Sequence, residues 1–168
     1  MPIDLWIQDE VSLSAAMDAV ALENLIQVGE NVLALMGYPN AHLTVIIETD
    51  ANVQSLNAQY RGIDRPTDVL SFAAEPLPEN IGDESDANYL GDILIAYDYT
   101  LNQAQAQEHS PQDEFALMVV HGILHLLGYD HDTPESQQEM WQQQQALLDE
   151  LGINIVVPDF VHGEDDEP

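Results

Sequence analysis

The stretch between Ser110 and Gly128 constrains the fold of this chain more than any other. Ser110 is a favourable N-cap residue, and it is followed by a proline at the first helical position and by Asp113. The helix predicted from there is apolar on almost all sides, through Phe115, Leu117, Met118, Val119, Val120, Ile123, Leu124, Leu126 and Leu127. A helix that is apolar all round is buried. We therefore predict a domain built around this helix, which ends at Gly128 because glycine readily adopts the left-handed conformation of a helix end.

The rest of the chain predicts an α+β domain. Alternating or β-branched stretches predict strands over residues 3–8, 42–48, 69–73 and 89–97. Longer periodic stretches predict further helices over residues 12–36, 50–60, 99–109 and 133–151. This order indicates a mixed sheet of about four strands packed with about five helices. Residues 1–157 are expected to form a single metal-dependent hydrolase domain, and 158–168 an acidic tail without fixed structure.

Three histidines at the end of the central helix predict a metal site. His121 and His125 are four residues apart and so about 40° from each other around the helix axis, where both rings can reach one ion. A bend at Gly128 would bring His131 to the same point. The chain has no cysteine, so a metal must be held by histidine or carboxylate. We predict one Zn²⁺ ion per chain, with a fourth position open to a water whose pKa zinc lowers to about 7.

A simpler interpretation exists for each histidine. A single histidine on an apolar helix is more often a hydrogen-bonded core residue than a metal ligand, and only the spacing of three favours the metal. Asp130 and Asp132 flank the third histidine, where each could hydrogen-bond a ligand or remain a solvated turn carboxylate. His42, His109 and His162 have no partner at ligand spacing, so we expect them to be structural or exposed.

The charge of the chain is strongly negative. It has 31 Asp and Glu against 2 Lys and Arg, a formal net charge of −29, and this surface should repel free RNA. Solubility or an unusual salt environment explains such acidity better than an acidic partner-binding role. Both cations, Arg61 and Arg65, lie in one short segment. Arg61 would fall at a helix end, where it could serve a substrate or merely pair with the helix dipole or Asp64.

The start of the chain bears on its location. No basic segment precedes an apolar run near residue 1, and no apolar run approaches the roughly 20 residues of a membrane span. We therefore expect a cytoplasmic protein with no membrane partner.

The histidine spacing also matches that of the metzincin peptidases, H-E-x-x-H-x-x-G-x-x-H, with one departure. Residue 122 is a glycine, where those enzymes carry the glutamate general base. Ile123 and Leu124 follow, so no neighbouring position replaces that base. A peptidase-like hydrolase is therefore the less favoured alternative.

Residues 121–131, HGILHLLGYDH, resemble the signature H-G-x-L-H-L-x-G-Y-D-H of the YbeY endoribonucleases. A second block, residues 56–72, resembles another recurrent stretch of that family, and the GDI at residues 91–93 fits a third. Together the blocks extend from about residue 56 to residue 131, and spaced blocks of this kind are far more specific than a single motif.

The resemblance implies the α+β fold of that family, a zinc-type ion on His121, His125 and His131, and a functional arginine at Arg61. It also implies cleavage of single-stranded RNA, maturation of the 16S rRNA 3′ end, ribosome quality control, and contacts with the small ribosomal subunit and assembly factors. A ribosome-assembly factor with a structural metal is a second alternative. With two arginines to neutralise phosphates, we expect a log–log salt slope no steeper than about −1.4 for single-stranded RNA.

Overall fold

A computed structural model of the chain describes residues 3–13, 17–74, 88–130, 132–153 and 155. This part contains four strands and five long helices. The strands are β1 (Ile3–Ile7), β2 (His42–Glu48), β3 (Val69–Ala73) and β4 (Tyr89–Ala96). The helices are α1 (Ala19–Leu35), α2 (Asp50–Arg61), α3 (Tyr97–Gln107), α4 (Pro111–Leu126) and α5 (Pro134–Glu150).

The four strands form one mixed sheet in the order β1-β2-β4-β3. β1 is parallel to β2, and β2 is parallel to β4, whereas β3 runs antiparallel to β4. The parallel pair β1 and β2 is connected through α1, because parallel neighbours need a crossover rather than a tight turn. This architecture confirms the predicted α+β fold with a mixed sheet of four strands and five helices.

Helix α4 is the centre of the core. Every residue from Glu114 to Leu124 is buried, as the apolar pattern predicts. The helix packs on β3 and β4, and α1, α3 and α5 surround it. A smaller cluster (Val53, Leu70, Leu94 and Ala96) joins α2 to the opposite face of the sheet. The sheet is thus covered on both faces near β3 and β4, and both α4 and α2 contact β3.

Helix α4 packs closely against the sheet at Gly122. A Cβ atom at this position would lie 2.8 Å from Cγ2 and 2.9 Å from Cδ1 of Ile93 on β4. A larger residue would therefore require the Ile93 side chain or the helix to shift. Gly91, at a φ of +138°, is similarly enclosed, because its Cβ would overlap the carbonyl oxygen of Phe72.

Most element boundaries agree with the predicted ones within two residues, and the following differences have a structural explanation. Helix α1 begins at Ala19 and not near residue 12, because the carboxylate of Asp18 accepts the Ala21 N–H and caps it. Thr49, rather than Asp50, caps α2. Strand β4 ends at Ala96, and Tyr97 already belongs to α3.

Two predicted segments cannot be compared directly. Most of the segment 74–88, which connects the predicted strands at 69–73 and 89–97, and the predicted tail over 158–168 lie outside the described residues. Within the described part, no helix has the length and apolarity that crossing a membrane requires.

Candidate active site

A groove of about 630 Å³ opens where the ends of α2 and α4 meet β3. Tyr60 and Arg61 line it from the last turn of α2, and β3 contributes the floor. His121 and His125 line it from α4, and the turn after that helix contributes a further wall. The groove therefore brings together two of the three predicted metal ligands and the predicted functional arginine, from segments about 60 residues apart in sequence.

The rings of His121 and His125 meet edge-to-face, with their Nε2 atoms close together. Their Nε2 atoms are 3.1 Å apart, and the ring centroids are 4.6 Å apart with planes at 80°. His121 is buried, whereas His125 is partly exposed towards the groove. The spacing of four residues on one helix produces this convergence, as the sequence predicts.

The outer nitrogens of both rings contact oxygen acceptors. Nδ1 of His121 lies 2.9 Å from Oε1 of Gln144, and Nδ1 of His125 lies 3.1 Å from the carbonyl oxygen of Tyr129. Because the backbone carbonyl of Tyr129 can only accept, Nδ1 of His125 donates to it, and Nδ1 of His121 donates in the same way where Gln144 presents its amide oxygen. A neutral ring then has its lone pair on Nε2, so both lone pairs point into the same small space.

Such an arrangement fits a metal ion. Two lone pairs 3.1 Å apart repel each other unless a cation or proton lies between them. Two imidazole nitrogens bound to one tetrahedral zinc at about 2.0–2.1 Å would be separated by roughly 3.3 Å. Hydrogen bonds from Nδ1 to oxygen acceptors are also what oriented histidine ligands require. The donor set therefore suits zinc, although the ligand roles themselves stay predictions.

The third predicted ligand, His131, lies outside the described residues. Among the residues that are described, no three potential metal ligands lie together. Two residues next to His131 in sequence, Asp130 and Asp132, are exposed and line the groove.

The bend at Gly128 has a second role that the sequence did not indicate. Gly128 has a φ of +102°, its N–H donates to the carbonyl of His125, and the next N–H, of Tyr129, donates to the carbonyl of Leu124. This pair of bonds is a Schellman motif. It turns the Tyr129 carbonyl back towards the helix, where it accepts from the His125 ring. The glycine thus orients the ring of His125, a predicted ligand that precedes it, as well as redirecting the chain after it.

Gln144 on α5 was missed as a site residue. The glutamine cluster at 142–145 suggests a solvated helix face, but this interpretation is wrong for Gln144, which is only 1% exposed. A periodic signal was present, because Met140, Gln144 and Leu148 are spaced by four residues and all three are buried. The ring of Trp141, one turn earlier on the same helix, packs edge-on against His121 at 6.0 Å.

The loop after Arg61 is fastened to its own helix. Arg61 is the last residue of α2, as predicted, and Gly62 ends the helix in the left-handed conformation at a φ of 72°. The buried side chain of Asn57 then donates to the carbonyl of Arg65 at 3.0 Å. The carboxylate of Asp64 accepts a hydrogen bond from the side-chain amide of Gln54 on α2. Arg61 is thereby presented to the groove from a fixed helix end.

Aromatic residues on the arginine side of the groove were also not anticipated. Tyr60 is 62% exposed, and its ring meets that of Phe72 edge-to-face at 5.2 Å and 70°. Both residues line the groove. The carboxylates of Asp130 and Asp132, from the turn after α4, also line it. The lining therefore combines a cationic and aromatic part from α2 and β3 with an acidic part from that turn.

Position 122 faces away from the groove and onto the sheet. The contact with Ile93 leaves no space for a side chain there. The glutamate base of the metzincin pattern is absent from the sequence and has no room in this fold.

The remaining histidines contact other parts of the protein. Nδ1 of His109 lies 2.7 Å from Oε2 of the fully buried Glu114, so this histidine is structural. The ring of His42 lies 5.1 Å from that of Tyr89. Burial, followed by a hydrogen bond to Asp92, raises the pKa of Tyr89 to about 12. His162 lies outside the described residues.

Comparison with known proteins identifies relatives of this chain. The family model described as endoribonuclease YbeY matches residues 8–152. A protein named endoribonuclease YbeY from Desulforamulus reducens is 41% identical over 153 residues, which cover 88% of this chain and 95% of the relative. Another of that name from Nostoc sp. is 45% identical over 121 residues, which cover 71% of this chain and 66% of the relative.

A solved structure has the same fold. The solution structure of TM1509 from Thermotoga maritima superposes with a TM-score of 0.58 at 28% identity, covering 89% of this chain and 88% of the other. The family match extends over both sequence blocks and the histidine helix, so it confirms the resemblance inferred from those motifs. The chain belongs to the YbeY family of endoribonucleases.

Proposed function

We propose that this chain is a zinc-dependent endoribonuclease that cleaves single-stranded RNA in this groove, with His121, His125 and His131 holding one ion per chain. The observation that carries the proposal is the convergence of the two Nε2 atoms at 3.1 Å in the same groove as Arg61. A metal ion held there supplies Lewis acidity towards a phosphate oxygen or towards water.

Arg61 is the proposed catalytic residue of the protein itself. Its guanidinium is always charged and spreads its donors over a plane, which suits the oxygens of a phosphate during cleavage. The left-handed end of α2 fixes the backbone from which this side chain reaches the groove, where its charge can stabilise the extra negative charge that develops on the reacting phosphate.

The two histidines and their partners provide orientation. Gln144 and the Tyr129 carbonyl hold the rings with Nε2 directed to the common point, and this support favours the neutral tautomer that a metal needs. The steric conflict at Gly122 disfavours the peptidase alternative, since that chemistry requires a carboxylate that the helix has no room to present.

The proposed substrate is the 3′ region of 16S rRNA, during its maturation and in ribosome quality control in the cytoplasm. The family membership supports RNA as the substrate, and the motif resemblance supports the rRNA role. A net charge of −29 opposes capture of free RNA, so we propose that the small ribosomal subunit and assembly factors deliver the strand. A log–log salt slope steeper than about −1.4 with purified RNA would contradict this part of the proposal.

The decisive experiment compares metal content and RNA cleavage in the same preparations. Wild-type protein should contain about one zinc per chain and cut a single-stranded RNA, whereas chelated protein and the His125→Ala variant should do neither. His42→Ala is the matched control, because His42 is a partly exposed histidine that does not line the groove.

Arg61→Ala separates chemistry from metal binding. This variant should retain the zinc and lose about 100-fold or more in cleavage rate, the size expected when one electrostatic contact to the reacting group is removed. Stoichiometric zinc with no cleavage by the wild type on either single-stranded or 16S-derived RNA would instead support the assembly factor with a structural metal. Equal cutting by wild-type, chelated and His125→Ala samples would reveal a contaminating nuclease.

A further inference from the structure

We propose that Tyr60 is a stacking platform for one nucleobase of the RNA strand, next to the phosphate that Arg61 contacts. This inference rests on the proposed function, since it assigns a base-binding subsite to the same groove. Its ligand is an unpaired nucleobase, and a purine should bind better than a pyrimidine because its larger ring system offers more stacking area.

Exposure is the first observation. An aromatic ring that is 62% exposed at the end of a helix contributes little to the core, yet this one lines the groove with the histidine pair. Unpaired bases in RNA are commonly bound by aromatic side chains of this kind.

The ring is also held in place. Phe72 meets Tyr60 edge-to-face at 5.2 Å and itself packs against the cluster under α2 that includes Leu70 and Leu94. An edge-to-face neighbour restricts the rotation of the Tyr60 ring. A platform that is already oriented loses less conformational entropy when a base stacks on it.

Charge gives the third reason. The groove offers one arginine for the phosphates, and its lining also includes the carboxylates of Asp130 and Asp132 from the turn after α4, which repel phosphates. A strand should therefore lie along the wall formed by Tyr60, Arg61 and Phe72. Stacking does not depend on neutralising phosphates, so it can supply binding that a chain of net charge −29 cannot obtain from electrostatics.

The order of residues along α2 fits a single nucleotide. Tyr60 and Arg61 are consecutive, and both lie in the last turn before the left-handed residue Gly62. One base would stack on the tyrosine, and the phosphate of that nucleotide or of the next one would contact the arginine. One phosphodiester linkage of the strand would then lie in the groove that the two histidines also line.

The test measures binding of intact RNA oligonucleotides to full-length protein with the metal chelated, so that no cleavage is needed. Tyr60→Leu should weaken the binding of an oligoadenylate about 5- to 150-fold, the loss that corresponds to ~1–3 kcal/mol of stacking. Tyr60→Phe should bind like the wild type, because it keeps the ring. Trp6→Leu is the control, since Trp6 is also exposed, at 65%, but does not line the groove.

A second arm identifies the base. Abasic nucleosides are placed one at a time along the oligonucleotide, and at one position the loss of the base should weaken wild-type binding but leave the Tyr60→Leu variant unchanged. The proposal is overturned if Tyr60→Leu binds RNA with wild-type affinity, or if Tyr60→Phe and Tyr60→Leu weaken binding equally. It is also overturned if no position shows this coupling, or if the wild type does not bind RNA.

The two proposals can fail separately. If zinc-loaded wild-type protein never cuts RNA but the coupled position is found, the base subsite stands and the catalytic role is lost. If cleavage occurs and Tyr60→Leu changes neither the KM for RNA nor the affinity, the subsite is wrong and Tyr60 serves another contact, such as a protein partner.

Discussion

Replacing Gly122 with alanine tests the contact on which the position of the histidine helix depends. Two opposing effects can be worked out from the structure. Alanine in a helix interior is more stable than glycine by about 1 kcal/mol, because the glycine backbone loses more freedom on folding. The new Cβ, however, would lie 2.8–3.0 Å from three side-chain carbons of Ile93, and overpacking of this kind costs about 1–3 kcal/mol. Gly122→Ala should therefore lower the free energy of unfolding by up to about 2 kcal/mol.

A double-mutant cycle with Ile93→Ala isolates the steric part. Ile93→Ala alone should cost about 2–5 kcal/mol, because it leaves a cavity under the helix. In that background the three contacts no longer exist, so Gly122→Ala should raise stability by about 1 kcal/mol. The double mutant should then be about 1–3 kcal/mol more stable than the sum of the two single effects predicts, because the clash is relieved.

Urea denaturation followed by circular dichroism, with the metal chelated in all samples, measures these values. Gly29→Ala on α1 is a matched comparison, since its Cβ would approach the far end of the Ile3 side chain at 3.0 Å, and it should cost less. A Gly122→Ala protein that is more stable than the wild type by about 1 kcal/mol would refute the reasoning, as would additive effects of the two substitutions.

Three further predictions follow from other contacts. The pKa of Tyr89 is raised from 10.0 to about 12 in the folded protein. Its contribution to stability is therefore complete below pH 10.0 and is lost as the pH rises to about 12. Tyr89→Phe should flatten this alkaline decline in the free energy of unfolding. Gln144→Leu should weaken zinc binding about 10- to 100-fold in a chelator competition, whereas substitution of the exposed Gln142 should not. His109→Ala should cost about 3 kcal/mol in urea denaturation, because the buried carboxylate of Glu114 loses a close partner, and a loss below 1 kcal/mol would show that the contact is dispensable.

The fold was predictable largely because local and long-range preferences agree. Helix α4 is favoured by the serine and proline at its start, by its apolar sides and by the glycine at its end. The structure buries it as expected. The start of α1 was predicted wrongly because both Ser12 and Asp18 are good N-cap residues. Periodicity does not distinguish them, and the observed cap is Asp18, whose side chain accepts a backbone N–H of the first turn.

The site was only partly predictable, for a physical reason. Ligand spacing on one helix is a local property, so the convergence of His121 and His125 could be inferred from sequence. The partners that orient the rings come from elsewhere. Gln144 belongs to another helix, and its burial depends on how α5 packs against α4. Tyr60 and Phe72 meet only because α2 lies on the sheet beside β3.

The same tight packing links stability to function at the end of α4. Gly122 brings the helix onto Ile93, and the residue immediately before it, His121, is thereby held at a fixed depth beside the groove. A shift of α4 away from the sheet by even a fraction of an ångström would move both histidine rings relative to Arg61. Arg61 belongs to a different helix, α2, which also lines the groove. Because reactions at such sites are sensitive to misplacement of about 1 Å, the glycine at 122 should matter for cleavage even though it faces the sheet. Its absence of a side chain is thus a requirement of the packing that positions the histidines, and not simply the loss of a peptidase base.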